Sequence, residues 1–403
     1  MKKILLHPKD VLWKSEIGLD KNFCTFFYDN SYYRATKLDA QEWLEKKDLN
    51  YLLDEMAKND FIPQTEEVDL SIKGFGKIYK QYTEYFSPIP IHISCEALKE
   101  SAILWLNFNK WLLEKGLGLI DGHCANIIFQ GPMNAKWCDI GSIIELFPKI
   151  EFIGLEEFLR YYIYPMLLRK KNPWNDQLFR MSLYKGIRHE SAASLVDFTM
   201  RQFETRAEAL SYFLDYVENI EFNTKDTLWS DYYNDPSEEI ISRPYKKGDI
   251  INRISMFTNI FNAINPKTVI DLGANAGIFS RYMATQGAEV LALEPDETAV
   301  IKHHKILRSN NFSHKIKLMV SSIGEYVKPA EMVTALALTH HLFFTELYPW
   351  KYIVKLLSSY TTNILLTEFM PNGMGSEKKP NSLPENYRIE VRLMHSKYRD
   401  FLL

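Results

Sequence analysis

The second half of the chain predicts a doubly wound α/β domain, and the first half a separate α+β domain. Three observations carry this. Thr268 to Leu272 is an apolar run holding Asp271, followed by the turn Gly273-Ala274-Asn275-Ala276-Gly277 and a helical stretch from Ile278 to Met283. A second apolar run, Val290 to Leu293, ends on Glu294, seventeen residues past Gly277. From residue 268 to 370, strand-like and helix-like stretches then alternate, the pattern of a parallel sheet covered by helices. Upstream of it the chain reads instead as a β-hairpin region followed by mainly helical segments.

The turn after the first strand defines the ligand class. Glycines let the backbone pass close to a ligand and adopt conformations that a Cβ forbids. An acidic residue at the tip of the following strand suits a ribose diol. A dinucleotide site reads G-x-G-x-x-G and seats a pyrophosphate on the helix N-terminus. Here the turn reads D-x-G-x-x-x-G, and Asp271 would repel a pyrophosphate while suiting a cationic amino-acid ligand. This stretch resembles the first motif of class I S-adenosylmethionine (SAM) methyltransferases, and Glu294-Pro295-Asp296 resembles their second. The resemblance implies a Rossmann-like fold with SAM as cofactor. Asp271, Gly273, Asn275 and Gly277 would lie around its amino-acid and ribose end, and Glu294 would take the ribose hydroxyls.

The remaining strands follow in order. Ile316 to Val320 reads as the third, followed by Ser321 and Ser322 where many SAM methyltransferases carry an acidic residue for the adenine amine. A serine hydroxyl or a backbone group would serve instead. Met332 to Leu338 reads as a central strand with Thr339-His340-His341 at its C-terminal tip, where ligands of open α/β sheets bind. A histidine there takes a proton from an acceptor hydroxyl during methyl transfer. His341 is the favoured base and His340 the alternative, since the first histidine of such a pair turns back toward the sheet. Ile364 to Thr367 reads as the fifth strand, with Glu368 at its tip either positioning an acceptor hydroxyl or lying in solvent. Tyr387 to Leu393 reads either as one further strand, without the hairpin that closes a full sheet, or as part of a helical last segment.

At 403 residues the chain exceeds one ordinary core. The divisions expected are a small α+β lobe over 1–90, a mainly helical lobe over 91–228 and the methyltransferase domain over 229–403. A formal net charge of −3 offers no electrostatic surface for nucleic acid. Cys24, Cys95, Cys124 and Cys138 show neither CxxC nor zinc spacing and fit a reducing cytoplasm. No segment reaches membrane-spanning length.

In the first half, Phe23 to Tyr28 and Tyr32 to Thr36 predict a hairpin across Asp29-Asn30-Ser31. Ala40 to Lys58 carries helical periodicity with a break near Asp48, and Phe75 to Tyr85 is again β-prone. Cys95 to Lys115 predicts a long helix ended by Gly116-Leu117-Gly118. Further helices are expected over 155–168, kinked or ended at Pro165, then Ser191 to Arg206, Glu208 to Glu221, and Tyr245 to about Ala263.

After the long helix comes Asp121-Gly122-His123-Cys124-Ala125-Asn126, and thirteen residues beyond Asn126 lies Asp139, in Asp139-Ile140-Gly141-Ser142. This spacing resembles the catalytic half of kinase-like phosphotransferases of the aminoglycoside- and choline-kinase type. The resemblance implies Mg-ATP, with Asp121 as the base at the accepting hydroxyl and Asn126 and Asp139 as metal ligands. No glycine-rich loop precedes them, and Lys37 is the candidate phosphate-contacting lysine. The same three side chains also read as a set that ties a loop together, since Asp and Asn bond readily to nearby backbone.

Taken together, Asp121-x-His123-x-x-Asn126, Asp139-x-Gly-Ser142, Asp271-x-Gly273-x-Asn275-x-Gly277, Ala335-Leu336-Ala337-Leu338-Thr339-His340-His341 and Thr367-Glu368-Phe369-Met370-Pro371 resemble the nodulation-protein-related (NoeA-like) methyltransferases, which are associated with bacterial surface glycans. The resemblance implies an O-methyltransferase acting on a small-molecule or carbohydrate acceptor in polysaccharide biosynthesis. Its kinase-like module would be either a second phosphotransfer site or an inactive interaction domain.

Overall fold

The computed structural model describes residues 4–14, 22–40, 44, 48–82, 88–132, 134–147, 152–173, 175–196, 201–222, 247–308 and 313–368. The side chains of 247–253 and 313 are not among those described. The chain divides into two compact units, Met1–Lys225 and Asp226–Leu403.

Unit 1 begins with β1 (Ile4–Leu6), β2 (Leu12–Trp13), β3 (Phe23–Tyr28) and β4 (Ser31–Lys37). The hairpin predicted from the aromatic runs is β3–β4, with Tyr28 opposite Ser31. Asp29 and Asn30 both take positive φ, 44° and 54°, as a two-residue hairpin turn demands. Helix α1 (Leu49–Lys58) follows, and the break expected near Asp48 is its N-cap, where the carboxylate accepts from Tyr51 N. Then come β5 (Thr65–Glu67), β6 (Leu70–Ile72) and β7 (Phe75–Gln81). Five strands form one antiparallel sheet in the order β2-β3-β4-β7-β5, while β1 pairs with β6. Leu6, Val11, Phe26, Tyr33, Ala35, Ile72 and Ile78 form the core of this lobe.

The helical lobe starts with α2 (Cys95–Leu113), capped by Ser94, whose hydroxyl accepts from Ala97 N. Three short hairpin elements, β8 (Leu117–Leu119), β9 (Ile127–Gln130) and β10 (Asn134–Trp137), lead to β11 (Ile143–Glu145). β9 pairs with β10 and β11 with β8, all antiparallel. Next come α3 (Leu155–Phe158), a π-helical turn over Leu159–Ile163 and α4 (Tyr164–Lys171). The helix therefore does not end at Pro165. Proline lacks an N–H, and the widened turn just before it changes the hydrogen-bond register while the chain stays helical.

Helices α5 (Asp176–Lys185), α6 (His189–Val196) and α7 (Arg206–Glu218) complete the unit. The single helix expected over Ser191 to Arg206 is corrected: residues 201–203 are not helical, and Thr205 starts a new helix by accepting from Glu208 N. A hydroxyl cap supplies a partner that the first turn lacks, so it initiates a helix more readily than it continues one.

Unit 2 runs α8 (Lys247–Ile264), β12 (Thr268–Leu272), α9 (Ile278–Thr285), β13 (Glu289–Glu294), α10 (Glu297–Arg308), β14 (Ile316–Val320), β15 (Ala330–Ala335), α11 (Thr339–Phe344), α12 (Trp350–Ser358) and β16 (Thr361–Thr367). All sheet pairs are parallel, and the order is β14-β13-β12-β15-β16. The order reverses between β12 and β15, which opens a crevice at the carboxyl ends of those strands. One expectation is corrected here. The strand foreseen through Leu338 stops at Ala335, and Leu336 to Leu338 form a turn with Ala337 at φ 49°. His340 and His341 therefore lie in the first turn of α11 and not directly on the strand tip. The approach from Trp229 to Pro244 and the strand expected over Tyr387 to Leu393 lie outside the described residues.

Asn109 on α2 is a structural joint of the helical lobe. It is fully buried; its Oδ1 accepts from Leu119 N (3.1 Å) and Arg206 Nη2 (2.6 Å), and its Nδ2 donates to Trp105 O (3.0 Å). Arg206 is 1% exposed and also donates to Ile153 O at 2.8 Å. Removing an acceptor from a buried guanidinium leaves charge incompletely compensated. Asn109→Leu is expected to lower unfolding stability by about 3 kcal/mol. Urea denaturation should show part of that loss recovered in Asn109→Leu/Arg206→Met.

Candidate functional site

The crevice of unit 2 is built around Asp271 and Glu294. Asp271 is 3% exposed at the carboxyl end of β12. Its Oδ2 accepts from Ser280 Oγ on α9 (2.5 Å) and its Oδ1 from Thr334 Oγ1 on β15 (2.8 Å). One carboxylate thus joins the strands and helix on either side of the topological switch. Glu294, 6% exposed, closes the other side. Its Oε2 accepts from Asn275 N (2.8 Å) and its Oε1 from Asp296 N (2.9 Å). Burial pushes its carboxyl up to about 7, against the pull of the two backbone N–H groups.

The turn between them is held in a left-handed conformation, with φ 69° at Gly273, 50° at Asn275 and 77° at Gly277. Gly273 N and Ala274 N both donate to Leu293 O, at 2.9 and 3.1 Å, and Asn275 Oδ1 accepts from Ala276 N at 2.7 Å. The side of Gly273 where a Cβ would stand meets only the Leu338 side chain, at 3.5 Å. Gly277 is different: a Cβ there would fall inside the ring of His303 on α10. That ring is fully buried, has no hydrogen-bond partner on either nitrogen, and is driven down to about 3 by burial and by neighbouring Arg281. His303 was not foreseen from the sequence. Its signal was indirect, a polar residue on the apolar stripe of α10.

Ser321 is buried, and its hydroxyl donates to Ser322 O at 3.2 Å while its N–H donates to Glu294 O at 3.1 Å. Ser322 N donates to Glu325 Oε2 at 2.8 Å. At the end of β15, His340 is 6% exposed and His341 is half-buried, with ring centroids 4.0 Å apart. Burial lowers both, His340 to about 4, so the pair is uncharged at neutral pH. Thr339 Oγ1 donates to Glu368 O at 3.4 Å, tying the start of α11 to the end of β16.

In unit 1 the second constellation is also brought together. Asn126 Nδ2 donates to Asp121 Oδ2 (2.7 Å), His123 N to Asp121 Oδ1 (2.6 Å), and Cys138 N to Asn126 O (2.9 Å). Glu157 of α3 accepts from Gly122 N at 3.0 Å. Burial first, and the Glu157 charge second, raise Asp121 to about 6. His123 lies against Tyr161, ring centroids 3.8 Å apart.

The residue that reaches Asp139 is Arg34 of β4. Its Nη1 lies 3.1 Å from Asp139 Oδ1, and its Nη2 donates to Cys138 O. Asp139 Oδ1 also accepts from Gly141 N at 3.3 Å. The sequence signal for Arg34 was a charge at the centre of an otherwise aromatic strand. A divalent cation at Asp139 would share that carboxylate with the Arg34 guanidinium, placing two positive charges on one anionic partner.

No family model matches the chain, and no curated protein matches it. Several solved structures do. The bifunctional kinase-methyltransferase WbdD is 18% identical over 34% of this chain and 33% of that chain, with a TM-score of 0.27. Magnesium protoporphyrin IX methyltransferase (ChlM) from Synechocystis PCC 6803, with bound SAM, is 16% identical over 40% of this chain and 81% of that chain, with a TM-score of 0.30. Coclaurine N-methyltransferase bound to N-methylheliamine and SAH is 13% identical over 34% of this chain and 39% of that chain, with a TM-score of 0.27. The match spans about a third of the length of the WbdD structures. Among the described residues no helix is long and apolar enough to cross a membrane.

Glu294 generates a pH signature. A carboxyl raised from 4.5 to about 7 holds a proton in the folded state that it lacks when unfolded. Its contribution to stability is complete below the unfolded value and is lost as pH rises through about 7, with a limiting slope of about 1.4 kcal/mol per pH unit. In Glu294→Gln that loss is absent. The amide nitrogen faces a backbone N–H, so the variant starts about 1–2 kcal/mol less stable at acid pH. Urea titrations between pH 5 and 8 should show the gap narrowing as pH rises.

Proposed function

We propose that unit 2 is a SAM-dependent methyltransferase domain that methylates an oxygen of a small-molecule acceptor, a sugar or surface-glycan precursor. The observation that carries this reading is the buried Glu294 carboxylate bonded to the backbone of a left-handed turn, at the point where the strand order reverses. An acidic group there pairs with a ribose diol, and the positive φ of Gly273 lets the backbone bend where a ligand would approach it. Asp271, Gly273, Asn275 and Gly277 shape the amino-acid and ribose end. Ser321 and Ser322 border the adenine end.

When bound, SAM supplies an electrophilic methyl group on a sulfonium. The chain's part is to align the acceptor and to remove its proton as the O–C bond forms. His341 does this as a neutral imidazole, its lowered proton affinity keeping it unprotonated at neutral pH. His340, more deeply buried beside it, positions His341 or replaces it as base. Glu368 stands at the neighbouring strand end to orient the acceptor.

The division that accompanies this reading is 1–90, 91–228 and 229–403, in a cytoplasmic bacterial protein of polysaccharide biosynthesis. The first two segments form a kinase-like module, supported by the sheet order β2-β3-β4-β7-β5 with α1 set between β4 and β5, and by the clustering of Asp121, Asn126 and Asp139.

Calorimetric titration of the full chain with SAM tests the cofactor assignment. Saturable binding is expected, weakened about tenfold or more in Glu294→Ala because two charge-assisted hydrogen bonds are lost. Absence of SAM binding in the parent chain overturns the reading. His341→Ala should bind SAM like the parent, and its turnover with carbohydrate acceptors should fall by about 10²–10⁴. Unchanged turnover would remove His341 from the mechanism.

A further inference from the structure

We infer that Arg34 takes the electrostatic place of a divalent cation at Asp139, so that unit 1 is a metal-independent module and not a live Mg-nucleotide phosphotransferase. This stands on unit 1 alone and does not depend on the assignment of SAM to unit 2.

The kinase-type arrangement needs two separate pairings: a strand cation held by a helix carboxylate, and a metal held by the aspartate that follows the catalytic loop. In unit 1 the strand cation and that aspartate are paired with each other. Arg34 lies on the third strand of the hairpin sheet, with its side chain 7% exposed, and Asp139 is 26% exposed. The guanidinium is anchored at Asp139 Oδ1 and at Cys138 O, and not at a carboxylate of α1. On α1, Asp54 is paired within the helix to Lys58, at 2.6 Å.

Three features make this a lock. Arginine does not deprotonate in proteins, so the positive charge at Asp139 is permanent. Its planar fork makes two contacts at once, and both partners lie on the Cys138-Asp139 segment. Gln81 Nε2 donates to the same Cys138 carbonyl at 3.3 Å, holding that segment against β7. A dication arriving at Asp139 meets a fixed like charge at hydrogen-bond distance, where repulsion between charges is steep. Displacing the guanidinium means uncoupling a largely buried ion pair, which is strongly unfavourable.

The loop residues are drawn together beside this pair. Asn126 Nδ2 donates to Asp121, whose other oxygen accepts from His123 N, and Cys138 N donates to Asn126 O, so the 121–126 loop is tied to the segment that Arg34 holds. Of the three sequence-predicted residues, Asp139 is the one whose carboxylate faces β4.

Two measurements on the full chain decide the matter. In the first, the unaltered protein is titrated calorimetrically with ATP in the presence of Mg²⁺ and in the presence of EDTA. No Mg²⁺-dependent binding is expected, and saturable binding that requires Mg²⁺ overturns the inference. In the second, Mn²⁺ binding is followed by electron paramagnetic resonance in the parent, Arg34→Met, Arg34→Lys and Arg34→Met/Asp139→Asn. Arg34→Met should bind Mn²⁺ about tenfold or more tighter than the parent. The second substitution should abolish that gain. Arg34→Lys, which keeps the charge on a single nitrogen, should fall between. A parent that binds Mn²⁺ as tightly as Arg34→Met, or an Arg34→Met protein that gains nothing, overturns the inference. Should Arg34→Met not fold, the Lys variant and the nucleotide titration of the parent still decide it.

Discussion

The crevice of unit 2 turns on the buried Glu294 carboxylate, which takes a hydrogen bond from the Asn275 backbone beside those from Gly273 and Ala274 to Leu293. The Asn275 bond spans from the turn after β12 to the tip of β13, which are neighbours only because the strands pair in parallel register. A parallel pair cannot be linked by a tight turn, so the connection must run out through α9 and back. The tip contact then closes what the helix leaves open. Asp271 performs the matching task on the other side, binding α9 through Ser280 and β15 through Thr334. Two buried carboxylates thus brace a turn whose backbone would otherwise be strained and unsupported. Burial that raises a carboxyl is unfavourable for the fold, and the N–H groups bonded to Glu294 offset it only in part.

Much of this was legible before any coordinates. The strand, turn and helix around Asp271, and the position of Glu294, follow from local chemistry: apolar period, glycine placement and an acidic tip residue. The hairpin at Asp29-Asn30 was legible for the same reason, since its turn residues tolerate positive φ. What failed was of two kinds, element ends that the local pattern did not mark and a charge pairing set by residues far apart in sequence. The extent of β15 could not be read because Leu336 to Leu338 are as apolar as the strand they leave. The helix expected to run through Arg206 hid a cap, although Thr205-Arg206-Ala207-Glu208 carries the local T-x-x-E signature of a helix start. The π turn before Pro165 has no local sequence signature.

Arg34 is the most instructive miss. The Asp121, Asn126 and Asp139 spacing is a property of one short segment and was visible as such. The cation that faces it is 105 residues away from Asp139 and is positioned by strand register. Lys37, the candidate phosphate-contacting lysine, lies at the end of β4 in register with Phe75. Motif spacing identifies who could take part in a site, and register decides which charges meet there. The three residues of the kinase-like motif are adjacent as expected, and their neighbours differ from those the chemistry calls for.

The seating of His303 against Gly277 has an evolutionary consequence. The constraint runs one way. A Cβ gained at 277 would fall on the 303 ring, and the left-handed backbone at 277 would resist it even if position 303 were smaller. Position 303 is therefore free to shrink while 277 stays glycine, and the glycine is doubly fixed.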